Sequence, residues 1–225
     1  MYKRIIGLVL IDNGIVCRTR NFNPDYHYTE AHIDTDFFDE ICLIDVTREK
    51  SNETSRVFLA AVDKLMTKSQ LPISIGGSIH SPDDIHRYRS FGADRYLINQ
   101  TCSSRDPFVI NCIREFGRSS IISSINHWNQ FLYFNHEISG IKLSERIKEI
   151  QNNCGSEILI NSVERDGTLT GMDEMSIREI STSSPPPLII NGGLGRATQA
   201  GEMLKIESVS AVCTSNIYHL TTRTI

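Results

Sequence analysis

Eight apolar runs of strand length alternate with longer segments of helical period, and landmarks in the first half of the 225-residue chain recur 116 residues later. Such alternation calls for a parallel sheet, and eight units with a half-way repeat favour its closure. The sequence therefore predicts an α/β fold, a single (β/α)8 TIM barrel over residues 1–225 with half-barrels of about 1–116 and 117–225. An open doubly wound sheet is the competing arrangement. The repeat pairs Ile5-Ile6 with Ile121-Ile122, Leu43-Ile44-Asp45 with Leu159-Ile160-Asn161, Gly76-Gly77 with Gly192-Gly193, and Asn99 with Ser215. At Leu188-Ile189-Ile190-Asn191-Gly192-Gly193-Leu194-Gly195 an apolar strand ends in a tight turn, where missing side chains let backbone N–H groups approach an anion. Ile73-Ser74-Ile75-Gly76-Gly77 repeats the feature, so each half carries one phosphate grip.

In chain order, strands are expected near 4–11, 41–46, 72–76, 95–99, 120–126, 157–161, 187–191 and 210–214. Helices are expected near 29–38, 54–68, 82–91, 105–116, 143–153, 173–182 and 196–206, with a short final one near 216–223. Ser81-Pro82-Asp83-Asp84 gives one helix start a cap, a first-turn proline and two acids that the helix dipole favours. The run Ser181–Pro187 has the composition of a linker but the length of an αβ loop. Ile15-Val16-Cys17 and Phe131-Leu132-Tyr133-Phe134 follow strands one and five at matching places, and each is read as a hairpin strand in a βα loop on the catalytic face.

A hydrophobic content of 40% supports a full core, and a net charge of -4 provides no basic footprint for nucleic acid. No apolar run reaches the ~18 residues of a membrane span, and the start is too short and too soon polar for a signal peptide, so a cytoplasmic protein is expected. The cysteines at 17, 42, 102, 112, 154 and 213 and the seven histidines show no ligand spacing; reduced thiols and no structural metal are expected.

Lys3-Arg4-Ile5-Ile6, Asn13-Gly14-x-Val16, Asn21-Phe22, Leu43-Ile44-Asp45-Val46-Thr47, Gly76-Gly77-x-Ile79-His80 and, most specifically, Ser162-Val163-Glu164-Arg165-Asp166-Gly167-Thr168 resemble one known group. It is the HisF/HisA family, above all HisF, the cyclase subunit of imidazole glycerol phosphate synthase. The resemblance implies a duplicated barrel, no cofactor, a glutaminase partner that releases ammonia at the barrel bottom, and a phosphorylated substrate at the top. Carried over by position, its two phosphate sites fall on Gly77, Asn99 and Thr101 (or Gln100, because a residue is inserted after Asn99), and on Asp166, Gly167, Gly193, Ser215 and Asn216. A gate of alternating charges falls on Arg4, Glu40, Arg95 and Glu157, and the residue that meets the glutaminase on Asp94. Arg18 matches a loop lysine that touches substrate, with a solvated hairpin charge as the alternative.

The family's catalytic aspartates end strands one and five, where this chain has Leu10 and Asn126. Leucine transfers no proton and an amide does not titrate in the usable range, whereas a positioned acid or base typically contributes ~10²–10⁴-fold to rate. Asp12, two residues on and on the same strand face, is the possible substitute. One branch of the family has an apolar residue at the strand-one position. Its members resemble HisF but accompany a HisH-like glutaminase and an N-acetyl sugar amidotransferase, and the ammonia ends in an acetamidino group on a surface-polysaccharide sugar. The chain is similar to that branch, and the resemblance implies a HisF-like ammonia conduit. An active cyclase of histidine biosynthesis and a non-catalytic barrel that binds phosphorylated ligands are the alternatives. Asp45 is expected to face the barrel mouth with Asn161 as its duplicate; His127 should point away from the axis if Asn126 points inward. Trp128 and Phe131–Phe134 are read as loop packing, and Asn23–Asp39, rich in Tyr26, His27, Tyr28 and His32, is shorter than in the family.

Overall fold

A computed structural model describes residues 2–27, 36–67, 69–77, 79–101 and 106–215. The first half runs β1 (Arg4–Asp12), β2 (Ile15–Arg20), β3 (Asn23–His27), β4 (Glu40–Asp45), α1 (Asn52–Met66), β5 (Ile73–Gly76), α2 (Pro82–Ser90), β6 (Arg95–Asn99) and α3 (Pro107–Phe116). The second runs β7 (Ile121–Trp128), β8 (Phe131–Phe134), β9 (Glu137–Lys142), α4 (Leu143–Ile150), β10 (Glu157–Ser162), α5 (Glu174–Ser181), β11 (Leu188–Asn191), α6 (Ala197–Leu204) and β12 (Val209–Thr214). Among the described residues eight parallel strands pair in the order β1-β4-β5-β6-β7-β10-β11-β12, and β12 returns to β1, closing a (β/α)8 barrel. No helix among them is long and apolar enough to cross a membrane.

Strand alternation separates the core into an inside and two outer shells. Ile6, Leu8, Leu10, Cys42, Leu97, Ile122, Leu159, Ile189, Ala211 and Cys213 fill the lumen. The opposite faces pack against helices, around Val9, Leu43, Phe58, Ile75 and Val109 in one half and Ile125, Ile147, Ile160, Ile177 and Val212 in the other. Each fully buried aliphatic contributes about 1.5–3 kcal/mol, and strands apolar on both faces are what a sheet covered on both sides requires. At the start of α2, Ser81 Oγ accepts the Asp84 amide and Asp84 Oδ2 accepts the Ser81 amide, a reciprocal cap with Pro82 in the first turn. The free cysteines Cys17, Cys42, Cys112, Cys154 and Cys213 are buried; Cys102 lies outside the described residues.

The expected helix 29–38 falls largely outside the described residues, and its described end, Asp36–Phe38, holds no helix; the expected final helix, 216–223, lies outside them altogether. The single hairpin strand expected after strands one and five is in each half a pair. β1 continues antiparallel through β2 to β3, and β7 through β8 to β9. Four two-residue turns make these meanders, Asn13-Gly14, Asn21-Phe22, Asn129-Gln130 and Asn135-His136, with φ positive at both residues of each. That is the type I′ geometry whose twist matches adjoining strands.

Candidate functional site

At the N-terminal ends of β1, β4, β6 and β10 four long side chains converge. Arg4 Nη1 donates to Glu40 Oε2 at 2.9 Å and Arg95 Nη2 to Glu40 Oε1 at 3.1 Å, while each arginine also reaches one oxygen of Glu157. The four expected gate positions thus form a closed ring of alternating sign, and Ser210 adds a hydrogen bond to Glu157. Burial opposes the charge on Glu157, but Arg95, Ser210 and Arg4 outweigh it and hold the carboxyl below its ordinary range. Burial likewise opposes the charge on Arg95, and Glu40 and Glu157 outweigh it in the other direction. Asp94 lies beside the ring, exposed, with Oδ2 accepting the Ile73 amide at 2.8 Å. Asp39 does the same for Ile5 at 2.8 Å.

The two halves differ at the other end of the lumen. Leu10 aligns with Ile44 and Ile44 with Gly76 in the first half; Asn126 aligns with Asn161 and Asn161 with Asn191 in the second. One side of this layer is apolar and the other is a chain of amides. Asn191 Nδ2 donates to Asn161 Oδ1 at 3.1 Å, and Asn161 Nδ2 to Asn126 Oδ1 at 2.9 Å and Ser124 Oγ at 3.0 Å. Leu10 and Asn126 occupy matching lumen positions, and neither titrates. Asp12 sits beyond Leu10, its Oδ2 2.7 Å from His27 Nε2 and its Oδ1 accepting the Asn13 amide group at 3.0 Å. The strand has not slipped to bring it down.

The repeat is less regular than a constant offset. Leu10 and Asn126 are 116 residues apart, but their sheet neighbours Ile44 and Asn161 are 117 apart, so the counterpart of Asp45 is Ser162 rather than Asn161. A one-residue slip exchanges the two faces of a strand. Asp45 therefore shares its face with Ile41 and Leu43 in the outer shell, not with the mouth, and its carboxylate is held by Lys50 at 2.8 Å and the Thr47 amide at 3.0 Å. Gly77 corresponds in the same way to Gly192, not Gly193. A Cβ on Gly77 would stand 2.2 Å from the Asp45 carbonyl oxygen and one on Gly192 2.6 Å from that of Ser162, so neither position admits a side chain. Gly193 is pinned separately, its carbonyl accepting the Gly171 amide at 2.8 Å.

Several residues carried over as phosphate ligands turn into the fold. Thr101 is fully buried; its Oγ1 accepts the Asn126 amide at 2.9 Å, its own amide donates to Asn99 Oδ1 at 2.8 Å, and Gln100 Nε2 donates to the Asn153 carbonyl at 3.2 Å. Asp166 is buried, accepting Thr19 Oγ1 at 2.7 Å and the Phe22 amide at 3.0 Å, and Gly167 packs on the Thr19 carbonyl. Burial raises its pKa, with Thr19, Phe22 and Arg18 opposing the rise. The Asp-Gly pair thus docks the first-half hairpin on the second-half loop. Arg18 pairs with Asp25 at 2.6 Å. His127 lies in the outer shell, fully buried, its Nδ1 3.9 Å from Asp173 Oδ2. Trp128 packs on Tyr133, ring centroids 5.7 Å apart. Ser215 is partly buried after β12, and Asn216 lies outside the described residues.

Sequence reading named His27 only as one residue of the 23–39 segment and Asn191 only as the end of a strand, without giving either a place in the site, and missed Ser124 and Ser210. Strand parity identifies Asn191 as an inward residue once Asn161 is placed; His27 becomes visible only with the register of β3.

Fold and site together define a class: a duplicated (β/α)8 barrel with a charged ring at its base and glycine turns at its mouth. The family model described as histidine biosynthesis protein matches residues 7–223, and the chain belongs to that family.

Proposed function

We propose that the barrel is a HisF-like synthase subunit that takes ammonia from a HisH-like glutaminase at its base and conducts it to the mouth, for amidination of a surface-polysaccharide sugar by an N-acetyl sugar amidotransferase. The observation that carries this reading is the contrast between the two ends of one lumen. Its base holds a complete ring, Arg4, Glu40, Arg95 and Glu157, while its mouth holds Leu10 and Asn126 where ring closure needs carboxylates. The wall between them is mainly apolar or thiol, with the hydroxyls of Ser74 and Ser124 set into it, which favours neutral ammonia over ammonium because an unpaired charge there has no compensation. Gly77 and Gly192-Gly193, whose left-handed turns follow β5 and β11, are the positions at which backbone amides would meet the phosphate of an acceptor, and Asp94, beside the ring, is on the face assigned to the glutaminase.

The test is ammonium-dependent turnover of the ribulosyl-aminoimidazole substrate of the histidine pathway by the natural protein and by a Leu10→Asp/Asn126→Asp double variant, with phosphate binding as the folding control. Inactivity of the natural protein with phosphate binding intact supports the conduit. Robust turnover overturns it in favour of the cyclase, and phosphate binding without glutaminase stimulation favours the non-catalytic barrel.

A further inference from the structure

The meander after β1 carries a titratable pair on the lumen side that nothing in the conduit reading uses. Residues aligned across antiparallel strands share a face. Leu10 aligns with Cys17, and Cys17 with His27. Cys17 packs with Leu10 in the lumen cluster, which fixes that face as the inner one. Asp12 has the parity of Leu10 and lies about 7 Å further out along the strand. Its Oδ2 meets His27 Nε2 at 2.7 Å, with the two side chains 14% and 43% exposed, so the histidine is the accessible member. The 2.7 Å contact with a carboxylate oxygen suits the Nε2–H tautomer, which leaves the lone pair on Nδ1. The other groups near the mouth are committed elsewhere: Asp45 to Lys50, Asp166 to Thr19 and Phe22, His127 to the outer shell, and the three asparagines do not titrate.

We propose that His27, held by Asp12, is the general base for the nitrogen that leaves the lumen, which rests on the ammonia-delivery reading above. Ammonia bonds to an acceptor carbon whose oxygen leaving group the partner enzyme has already activated, for example by phosphorylation. The leaving group departs with its bonding pair, an N–H bond of the new ammonium centre breaks with its pair kept by nitrogen, and the proton passes to His27 Nδ1. Asp12 holds the imidazolium until solvent takes the proton.

Two measurements decide it. Nitrogen NMR of the histidine-labelled protein should show the Nε2–H tautomer at His27, lost in Asp12→Asn; an Nδ1–H tautomer overturns the proposal. In cells that make this chain, gene deletion should abolish incorporation of label from [15N]ammonium into the amidino groups of surface polysaccharide. His27→Gln and Asp12→Asn should cut it by about 10²–10⁴-fold, with melting temperature and glutaminase turnover of the isolated complex unchanged. Polysaccharide unaffected by the deletion defeats the delivery reading itself, and the proposal with it. Loss on deletion with wild-type incorporation in His27→Gln defeats only the dyad.

Discussion

His127 shows how strand parity decides what a histidine does. Both its ring nitrogens are buried without a hydrogen-bond partner among the described residues. Burial lowers its pKa from 6.5 to about 4, with Asp173 favouring the charged form and Arg165 opposing it. The unfolded chain therefore takes up a proton at a pH where the folded one refuses it. The stability difference is absent above about pH 6.5 and grows against the fold as pH falls toward 4. At about 1.4 kcal/mol per pH unit the loss reaches at most about 3 kcal/mol. His127→Phe abolishes the titration, so its urea midpoint should fall less than that of the natural protein between pH 7 and 4.5. Asp166 is the second residue whose place alters its meaning. Asp166→Ala strands Thr19 Oγ1 and the Phe22 amide in a buried site, and chemical denaturation should show a loss of about 2–4 kcal/mol. The Arg-Asp-Gly-Thr stretch was legible as a motif; that its carboxylate faces a hairpin from the other half depends on a contact 147 residues away, which no local pattern encodes.

The two meanders are the elements that the sequence half revealed. Asn13-Gly14 between alternating apolar residues is the strongest short hairpin signal, yet the other three turns follow asparagine with Phe22, Gln130 or His136, so no glycine marks them. A non-glycine residue in the left-handed region is strained by roughly 1–2 kcal/mol, and asparagine tolerates it best. His136 is exposed with φ of 64°. His136→Gly should therefore stabilise by about 1 kcal/mol and raise the melting temperature by about 2–4 °C, whereas Asn135→Ala should lower it. Scanning calorimetry of the two variants gives both signs. Barrel strands were easier to read than these turns because burial on both faces leaves near-continuous apolar runs, and their ends held to within a few residues.

For the whole molecule, eight units and a half-way repeat made closure legible, but the faces were not. The repeat slips by one residue between β1 and β4 relative to β7 and β10, and that slip moves Asp45 off the mouth. The charged ring was legible only through the family resemblance, carried over by position onto four strand starts; no local pattern in the sequence shows that these side chains meet. Whether the ring serves stability or passage can be separated physically. Glu40 and Glu157 share Arg4 and Arg95, so Arg95→Met leaves two nearly buried carboxylates around one guanidinium and should cost about 3–5 kcal/mol. Replacing all four members together, Arg4→Met, Glu40→Leu, Arg95→Met and Glu157→Leu, removes the charges as a set and should be neutral or stabilising by about 1–4 kcal/mol. A fold kept only for stability gains nothing from the ring, so the quadruple variant should melt at or above the natural protein while glutamine-driven transfer through its complex collapses and ammonium-driven transfer persists. Urea denaturation and the ratio of the two transfer rates read both halves of that expectation; an unchanged ratio would reduce the ring to a plug at the base of the barrel.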